Sequence, residues 1–125
     1  MTANEFRKMN LKKHSKKGLS ANKLTNSVLD YLNSTGFMAW RNNTMGVYDA
    51  KKQCYRRFNG LRGVGDILGI HKATGTFLSV EIKAGKDKLS VYQKKFIEDI
   101  EKYNGLACEV RQISDLIEYL DENIN

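Results

Sequence analysis

The passage over residues 76–111 constrains the fold most, because it has the pattern of a strand, a helix and a second strand. "TFLSVEIKA" (76–84) and "LACEVR" (106–111) are apolar runs of strand length. Between them, apolar residues recur at helical spacing over 90–103, and Gly105 follows as a stop signal. This length is typical of a right-handed crossover between parallel strands. The chain is therefore predicted to be an α/β protein.

The rest of the sequence supplies one helix before that passage, two more strands and a closing helix. Their predicted positions are a helix over 20–36 capped by Ser20, strands at "FMAWRN" (37–42) and "DILGI" (66–70), and a helix at "SDLIEYLDEN" (114–123). A long loop over 42–64 contains one short strand at "QCYRRF". We expect one domain, 20–125, with a small mixed β-sheet flanked by helices. A flexible basic arm, 1–19, precedes it.

The charge of the chain favours a polyanionic partner, with nucleic acid ahead of an anionic membrane. The formal net charge is +7 over 125 residues. For the basic arm, phosphate contact and a purely solvated tail are equal alternatives. No apolar run approaches the ~20 residues that cross a bilayer, and the N-terminus lacks a signal peptide's apolar core. Cys54 and Cys108 lack metal-type spacing, and a disulfide between them is the less favoured alternative. We expect a cytoplasmic protein with no membrane association and no small-molecule cofactor.

Charged residues occur on two strands that would otherwise be purely apolar. Side chains alternate faces along a strand, so Glu81 and Lys83 lie on the face opposite the apolar residues of the same strand. The short turn at "ATG" (73–75) predicts an antiparallel hairpin with "DILGI". Asp66, at the start of its strand, would then lie close to Glu81 and Lys83. Two carboxylates and a lysine converge on one patch.

This patch has two interpretations. Mg²⁺ favours hard oxygen ligands and is typically held by one or two carboxylates with phosphate and water. A bound ion relieves the repulsion of paired carboxylates and activates water for phosphodiester hydrolysis. The alternative is a surface ion-pair ladder, worth ~0.2–1 kcal/mol per pair.

The ordered set of "GVGD" (63–66), "VEIK" (80–83) and a helix carrying Gln93 resembles the PD-(D/E)XK nuclease superfamily. Within it, the chain resembles the virus-type replication–repair nuclease (VRR-Nuc) domain over roughly residues 20–117. The resemblance implies a restriction-endonuclease-like core and catalytic residues at Asp66, Glu81, Lys83 and Gln93. It also implies Mg²⁺ or Mn²⁺ bound by Asp66, Glu81 and the backbone carbonyl of Ile82, with Lys83 assisting the nucleophilic water.

The chain departs from the family pattern at two places, and one family residue has a second explanation. Gly65 replaces the usual proline, and Asn22 or Asn26 stands where many members carry an acid. An amide oxygen can contact a metal but brings no charge. "Ser90-x-x-Gln93" is also a capping box, in which Gln93 bonds back to the Ser90 N–H. Capping and active-site duty are equal alternatives for Gln93.

Basic and amide side chains near the patch are predicted to contact the DNA backbone. The predicted contact residues are Arg41, Asn42, Arg56, Arg57, Arg62, Lys86 and Lys88. Trp40 is predicted to lie in the core, whereas Tyr55 or Phe58 could stack on an unpaired base. No recognition helix is evident, so recognition of shape and backbone is expected.

The leading hypothesis is a metal-dependent endodeoxyribonuclease that acts on branched DNA, such as a Holliday junction or flap. Cutting two strands takes two sites, so a homodimer is expected, with the first helix as one candidate interface. A domain of this kind suits a phage or a mobile element. The alternatives are a non-catalytic DNA-binding module with the same fold, and a basic adaptor whose arm binds RNA or an acidic partner.

Overall fold

The computed structural model describes residues 2–3, 20–42, 48–55 and 60–124. Its elements are α1 (Ala21–Ser34), β1 (Phe37–Arg41), β2 (Tyr48–Asp49), β3 (Cys54–Tyr55), β4 (Ile67–His71), β5 (Phe77–Ile82), α2 (Val91–Lys102), β6 (Leu106–Val110) and α3 (Ile113–Ile124). Nearly all of the predicted basic arm lies outside the described residues, as do Arg56, Arg57 and Phe58. Among the described residues, no helix is long and apolar enough to span a membrane.

A four-stranded mixed sheet in the order β1-β4-β5-β6 forms the centre of the protein. β4 pairs antiparallel with β1 and β5, and β5 pairs parallel with β6 across the crossover helix α2. The predicted hairpin and the parallel strand pair are both confirmed. Within the long loop, β2 and β3 form a separate two-stranded ribbon. The protein is therefore mixed α/β with a small mixed sheet, as predicted.

Helices α1 and α3 cover one face of the sheet because each carries an apolar stripe. In α1, Ser20 accepts a hydrogen bond from the Lys23 N–H and caps the helix, as predicted. Leu24, Val28 and Leu32 follow at helical spacing and are buried. They pack with the inward residues of β4 and β5 and with the apolar side of α3. The two cysteines are free.

On each outer strand of the sheet, a side chain forms hydrogen bonds with backbone groups at the edge. The Asn33 side chain donates to the Ala39 carbonyl at 3.1 Å and accepts from the Ala39 N–H at 2.9 Å, so it imitates a neighbouring strand along β1. On β6, the Ala107 N–H donates to the Tyr119 hydroxyl at 2.9 Å. Unpaired strand edges invite pairing with other chains, and these contacts satisfy backbone groups at both edges.

The prediction that Trp40 lies in the core was wrong, because 42% of its surface is exposed. Phe37, three residues earlier, is buried instead, since it lies on the face that α1 covers. Trp40 lies on the opposite face, where α2 packs mainly against β5 and β6. An apolar strand pattern does not reveal which part of a sheet face a helix will cover.

We expect Asn33→Ala to lower the free energy of unfolding by about 1–2 kcal/mol, since it removes hydrogen bonds to the middle of an edge strand. Urea denaturation would measure the change. Asn123→Ala is the matched control, because Asn123 makes one exposed contact inside α3. Equal stability of the two variants would mean that the Asn33 contacts add nothing to β1.

Candidate active site

The structure brings Asp66 and Glu81 side by side on one face of the sheet. Ile67 pairs with Val80, so one step further along the ladder Asp66 lies opposite Glu81. Directly paired residues share a face, and here it is the face covered by α2. Lys83 follows Glu81 on the same side, just past the end of β5 at Ile82. The predicted convergence of these three residues agrees with the geometry.

Asp66 is held in place by contacts from both neighbouring strands. The Ile82 N–H donates to Asp66 Oδ2 at 2.7 Å. On the other side, the Asn42 N–H donates to the Asp66 carbonyl at 2.8 Å, and the Asn42 amide donates to the Gly65 carbonyl at 3.2 Å. The carboxylate is therefore oriented before any ligand arrives, and Asn42 contributes to that orientation.

Glu81 is buried, with only 4% of its surface exposed, and only one of its oxygens has a donor. Gln93 Nε2 donates to Glu81 Oε1 at 2.9 Å. Glu81 Oε2 is buried and has no hydrogen-bond partner in the described part of the chain. Its neighbour is the Asp66 carboxyl group, with which it can bond only by sharing a proton. An oxygen in this position favours a proton or a cation.

One amide joins the start of α2 to the carboxylate pair. Gln93 Oε1 accepts from the Ser90 N–H at 2.8 Å, and Ser90 Oγ accepts from the Gln93 N–H at 3.1 Å, so the predicted capping box is confirmed. The other end of the same amide donates to Glu81. Gln93 is therefore a helix cap that also contacts Glu81, and its duty in an active site stays a prediction.

Burial raises the pKa of Glu81 from 4.5 to about 8. The hydrogen bond that protonated Glu81 can form with the Asp66 carboxyl group and the negative charge of Asp66 act in the same direction. The Lys83 ammonium lowers the pKa, while Glu109, the β6 residue opposite Glu81, raises it. Without a cation, the site therefore favours a protonated Glu81 at neutral pH.

The glycines of "GVGD" allow the chain to pass close to α2 and β5. A Cβ at Gly63, where φ is +86°, would lie 2.1 Å from the Tyr92 carbonyl oxygen. A Cβ at Gly65 would lie 2.4 Å from Ser79 Oγ, and the Gly65 N–H donates to that same oxygen at 3.1 Å. Proline could neither fit nor donate here. Gly65, which replaces the usual proline, is therefore the residue that packs against and bonds the buried Ser79. Ser79 was not among the predicted site residues.

A cleft of about 310 Å³ opens beside the carboxylates. Arg62, Tyr92 and Gln93 line it together with Asp66 and Glu81. The Arg62 guanidinium lies 5.0 Å from the centre of the Tyr92 ring and donates to its hydroxyl at 3.1 Å. Arg62 was among the predicted DNA contacts, whereas Tyr92 was not. A larger cavity, about 380 Å³, lies apart from this site between α1, α3 and the start of β1.

The other predicted DNA contacts are distributed unevenly around this cleft. Lys86 and Lys88 are exposed on the loop after β5. Arg111 holds that loop by donating to the Gly85 and Asp87 carbonyls. Arg41 pairs with Ile67 and so lies on the face opposite the carboxylates. Arg56 and Arg57 lie outside the described residues.

The amides of the first helix contact Arg41. The Arg41 guanidinium donates to Asn22 Oδ1 at 2.7 Å and to Asn26 Oδ1 at 2.9 Å. The oxygens that could have replaced the family's helix acid are therefore bonded to a cation of the protein itself. Across the described ranges, no group of three or more His, Cys, Asp or Glu residues could hold a metal. The carboxylates of the site are a pair.

Comparison with family models, curated proteins and solved structures found no match to this chain.

We expect Gly65→Ala to lower the free energy of unfolding by about 1–3 kcal/mol, because the new Cβ overpacks against β5. Gly65→Pro should cost more, since it also removes the N–H donor to Ser79. Ser79→Ala is the matched variant, because it loses only the hydrogen bond, worth about 1 kcal/mol. Urea denaturation would rank the three. A Gly65→Pro protein as stable as the original would show that the contact with Ser79 is not required.

We expect Glu81→Gln to stabilise the metal-free protein increasingly as the pH rises. Unfolded Glu81 loses its proton near pH 4.5, whereas folded Glu81 keeps it up to about pH 8. The folded state therefore binds more protons between these values, and its stability falls through this window. The gain should be small at pH 4.5 and about 2–4 kcal/mol at pH 8, since one pKa unit is worth ~1.36 kcal/mol.

Urea denaturation in EDTA from pH 4.5 to 8.5 would measure this difference. Glu118→Gln is the matched control, because Glu118 is exposed on α3 and is not among the groups that shift the pKa of Glu81. Parallel stability curves for Glu81→Gln and the original protein would mean that Glu81 is ionised in the folded state.

Proposed function

We propose that the chain is a divalent-metal-dependent endodeoxyribonuclease with a restriction-endonuclease-like core of the VRR-Nuc kind. The observation that carries the proposal is the buried, unpartnered Glu81 Oε2 beside the oriented carboxylate of Asp66. Burying such a pair is unfavourable unless it serves a cation or a shared proton. Its position on an α/β sheet of a strongly basic chain favours phosphodiester chemistry.

The donors of the site suit Mg²⁺ or Mn²⁺. Asp66, Glu81 and the Ile82 carbonyl would hold the ion, and hard oxygen ligands of this kind match its preference. When bound, the ion would supply positive charge for a phosphoryl oxygen and lower the pKa of a bound water.

The remaining residues of the site orient groups and attract phosphate. Gln93 fixes Glu81 Oε1 from the start of α2, which leaves Oε2 without a hydrogen bond from the described residues and available to an ion held with Asp66. Lys83, on the side of Glu81, supplies an ammonium that lowers the Glu81 pKa and assists the attacking water or holds the scissile phosphate. Arg62, at the wall of the cleft, neutralises phosphate charge.

The proposed substrate is DNA recognised by shape and backbone, with branched DNA such as Holliday junctions preferred, and the proposed active form is a homodimer. The net charge of +7 supports attraction to phosphate. The apolar stripe of α1 is buried within the chain. A dimer interface through α1 would therefore use its polar surface.

A non-catalytic DNA-binding module is the second candidate. The observation that favours it is the contact of Arg41 with Asn22 and Asn26. This contact leaves the site without a ligand from the first helix. In this case, the domain would bind DNA by its basic surface, and the carboxylate pair would share a proton.

We expect metal-dependent cleavage of labelled four-way-junction or flap DNA, and its loss in Lys83→Ala and Asp66→Asn. The loss should be at least about 100-fold, the lower range for a single charged group acting at a reaction centre. Linear duplex and single-stranded DNA complete the substrate set. Reactions contain Mg²⁺, Mn²⁺ or EDTA.

Lys72→Ala is the matched control, because Lys72 is exposed at the turn beyond the other end of β4. Binding is measured in parallel by fluorescence anisotropy. If none of the DNAs is cut, while the original protein and both site variants bind junctions equally, the second candidate function is correct.

A further inference from the structure

An exposed apolar surface lies on the same sheet face as the carboxylate pair. We call it the strand platform, and it consists of Met38, Trp40, Leu68 and Ile70. Met38 pairs with Ile70, and Trp40 pairs with Leu68. Met38 is 50% exposed, Trp40 is 42% exposed, and the two β4 residues are half-buried. Because α2 packs mainly on β5 and β6, no helix within residues 20–42 and 60–124 covers these four side chains to the same extent.

The strand platform begins one diagonal step from the carboxylates. Trp40 is the cross-strand partner of Leu68, and Asp66 lies two residues before Leu68 on the same strand face. Such diagonal neighbours are about 7–8 Å apart and within reach of an aromatic side chain. A single nucleotide spans this interval from its base to its backbone phosphate. An indole stacked on a base would thus place that nucleotide's phosphate near Asp66 and Glu81.

The charges around the strand platform suit a nucleic acid strand. None of its four residues is acidic, and Arg41 and Asn42 follow Trp40 directly. Arg41 bonds two neutral amides, and within the described residues it has no acidic partner. Its side chain lies on the opposite face of the sheet, so it adds to the positive field at this end of β1 without facing the strand platform. On the face of the strand platform itself, Lys83 supplies positive charge beside the carboxylates. An aromatic surface near positive charge is the combination that single-stranded nucleic acid binders use.

We infer that the strand platform stacks one unpaired nucleobase adjacent to the phosphate that lies over Asp66 and Glu81. The inference rests on the proposed function and narrows its substrate class. In a duplex, the face of each base is covered by its neighbours, so a base can reach Trp40 only when it is unpaired and unstacked. The preferred DNA therefore has an unpaired nucleotide beside the cut, as in a single strand, a flap or an opened junction.

A second copy of the chain is a less suitable occupant of the strand platform. Two copies carry +7 each and repel, whereas DNA is attracted. The neighbouring edge of β1 is already bonded by Asn33, so strand pairing between copies is blocked at Ala39. Four side chains also fall well short of the ~800 Å² per partner of a standard stable interface.

The protein contains one tryptophan, so its fluorescence reports on Trp40 directly. The experiment titrates the full chain with a single-stranded oligonucleotide and with a blunt duplex of the same length, in EDTA and low salt. We expect the single strand to quench the emission at saturation and the duplex to leave most of it. A single strand with abasic sites carries the same phosphates and should quench little.

Trp40→Ala should weaken binding of the single strand about 5- to 100-fold, the range that corresponds to stacking of one base. Duplex binding should change less than twofold. Trp40→Phe keeps an aromatic ring and should retain most of the affinity. Tyr103→Ala is the matched control, because Tyr103 is an exposed aromatic residue beyond the far end of α2 from Gln93. Circular dichroism and urea denaturation confirm that each variant is folded.

The possible results separate this inference from the proposed function. Suppose that DNA is cut in the presence of metal, that Trp40 emission is unchanged and that Trp40→Ala keeps full activity on every substrate. This result would overturn the inference about the strand platform and support the proposed nuclease function. Quenching by the single strand, without cleavage in any metal, would support the inference about the strand platform and contradict the proposed nuclease function. A dimer that Trp40→Ala converts to a monomer, with DNA binding unchanged, would overturn the inference in favour of a second copy.

Discussion

The bare oxygen of Glu81 is the constraint on which the rest of the site depends. A carboxylate with one bonded and one unbonded oxygen, buried beside a second carboxylate, is unfavourable in a plain protein core. The surrounding contacts maintain this arrangement. The Ile82 N–H orients Asp66, Gln93 orients Glu81, and the close packing at Gly63 and Gly65 holds the segment before Asp66 against α2 and β5. The local fold therefore sustains a carboxyl pair whose double ionisation is unfavourable without a cation, which is typical of a functional site.

Gln93 makes the stability of α2 and the order of the site dependent on each other. Its amide accepts a bond that begins the helix and donates a bond that fixes Glu81. A change that frays the first turn of α2 would also release Glu81, and a shift of Glu81 would be transmitted to the helix. The crossover helix is thus an integral part of the site.

Much of the fold and the centre of the candidate site could be predicted from the sequence. The strand and helix patterns are strong, the turn at 73–75 is short, and side-chain alternation places Glu81 and Asp66 on one face. The exposure of Trp40 could not be predicted, because it depends on where α2 lies across the sheet. The contact of Arg41 with Asn22 and Asn26 spans 19 and 15 positions of the sequence, respectively. Local patterns carry no information on such a contact.

The side chains that bond the edge strands of the sheet affect how the protein can associate with others. Pairing of strand edges is among the least selective forms of protein association, since backbone N–H and C=O groups are nearly the same in every sequence. Asn33 and Tyr119 occupy backbone groups at the two edges. A chain that pairs along the middle of β1 or at Ala107 of β6 would have to displace one of these side chains. Association through side chains on a face of the domain needs no such displacement, and the residues that determine its selectivity can change without disturbing the sheet.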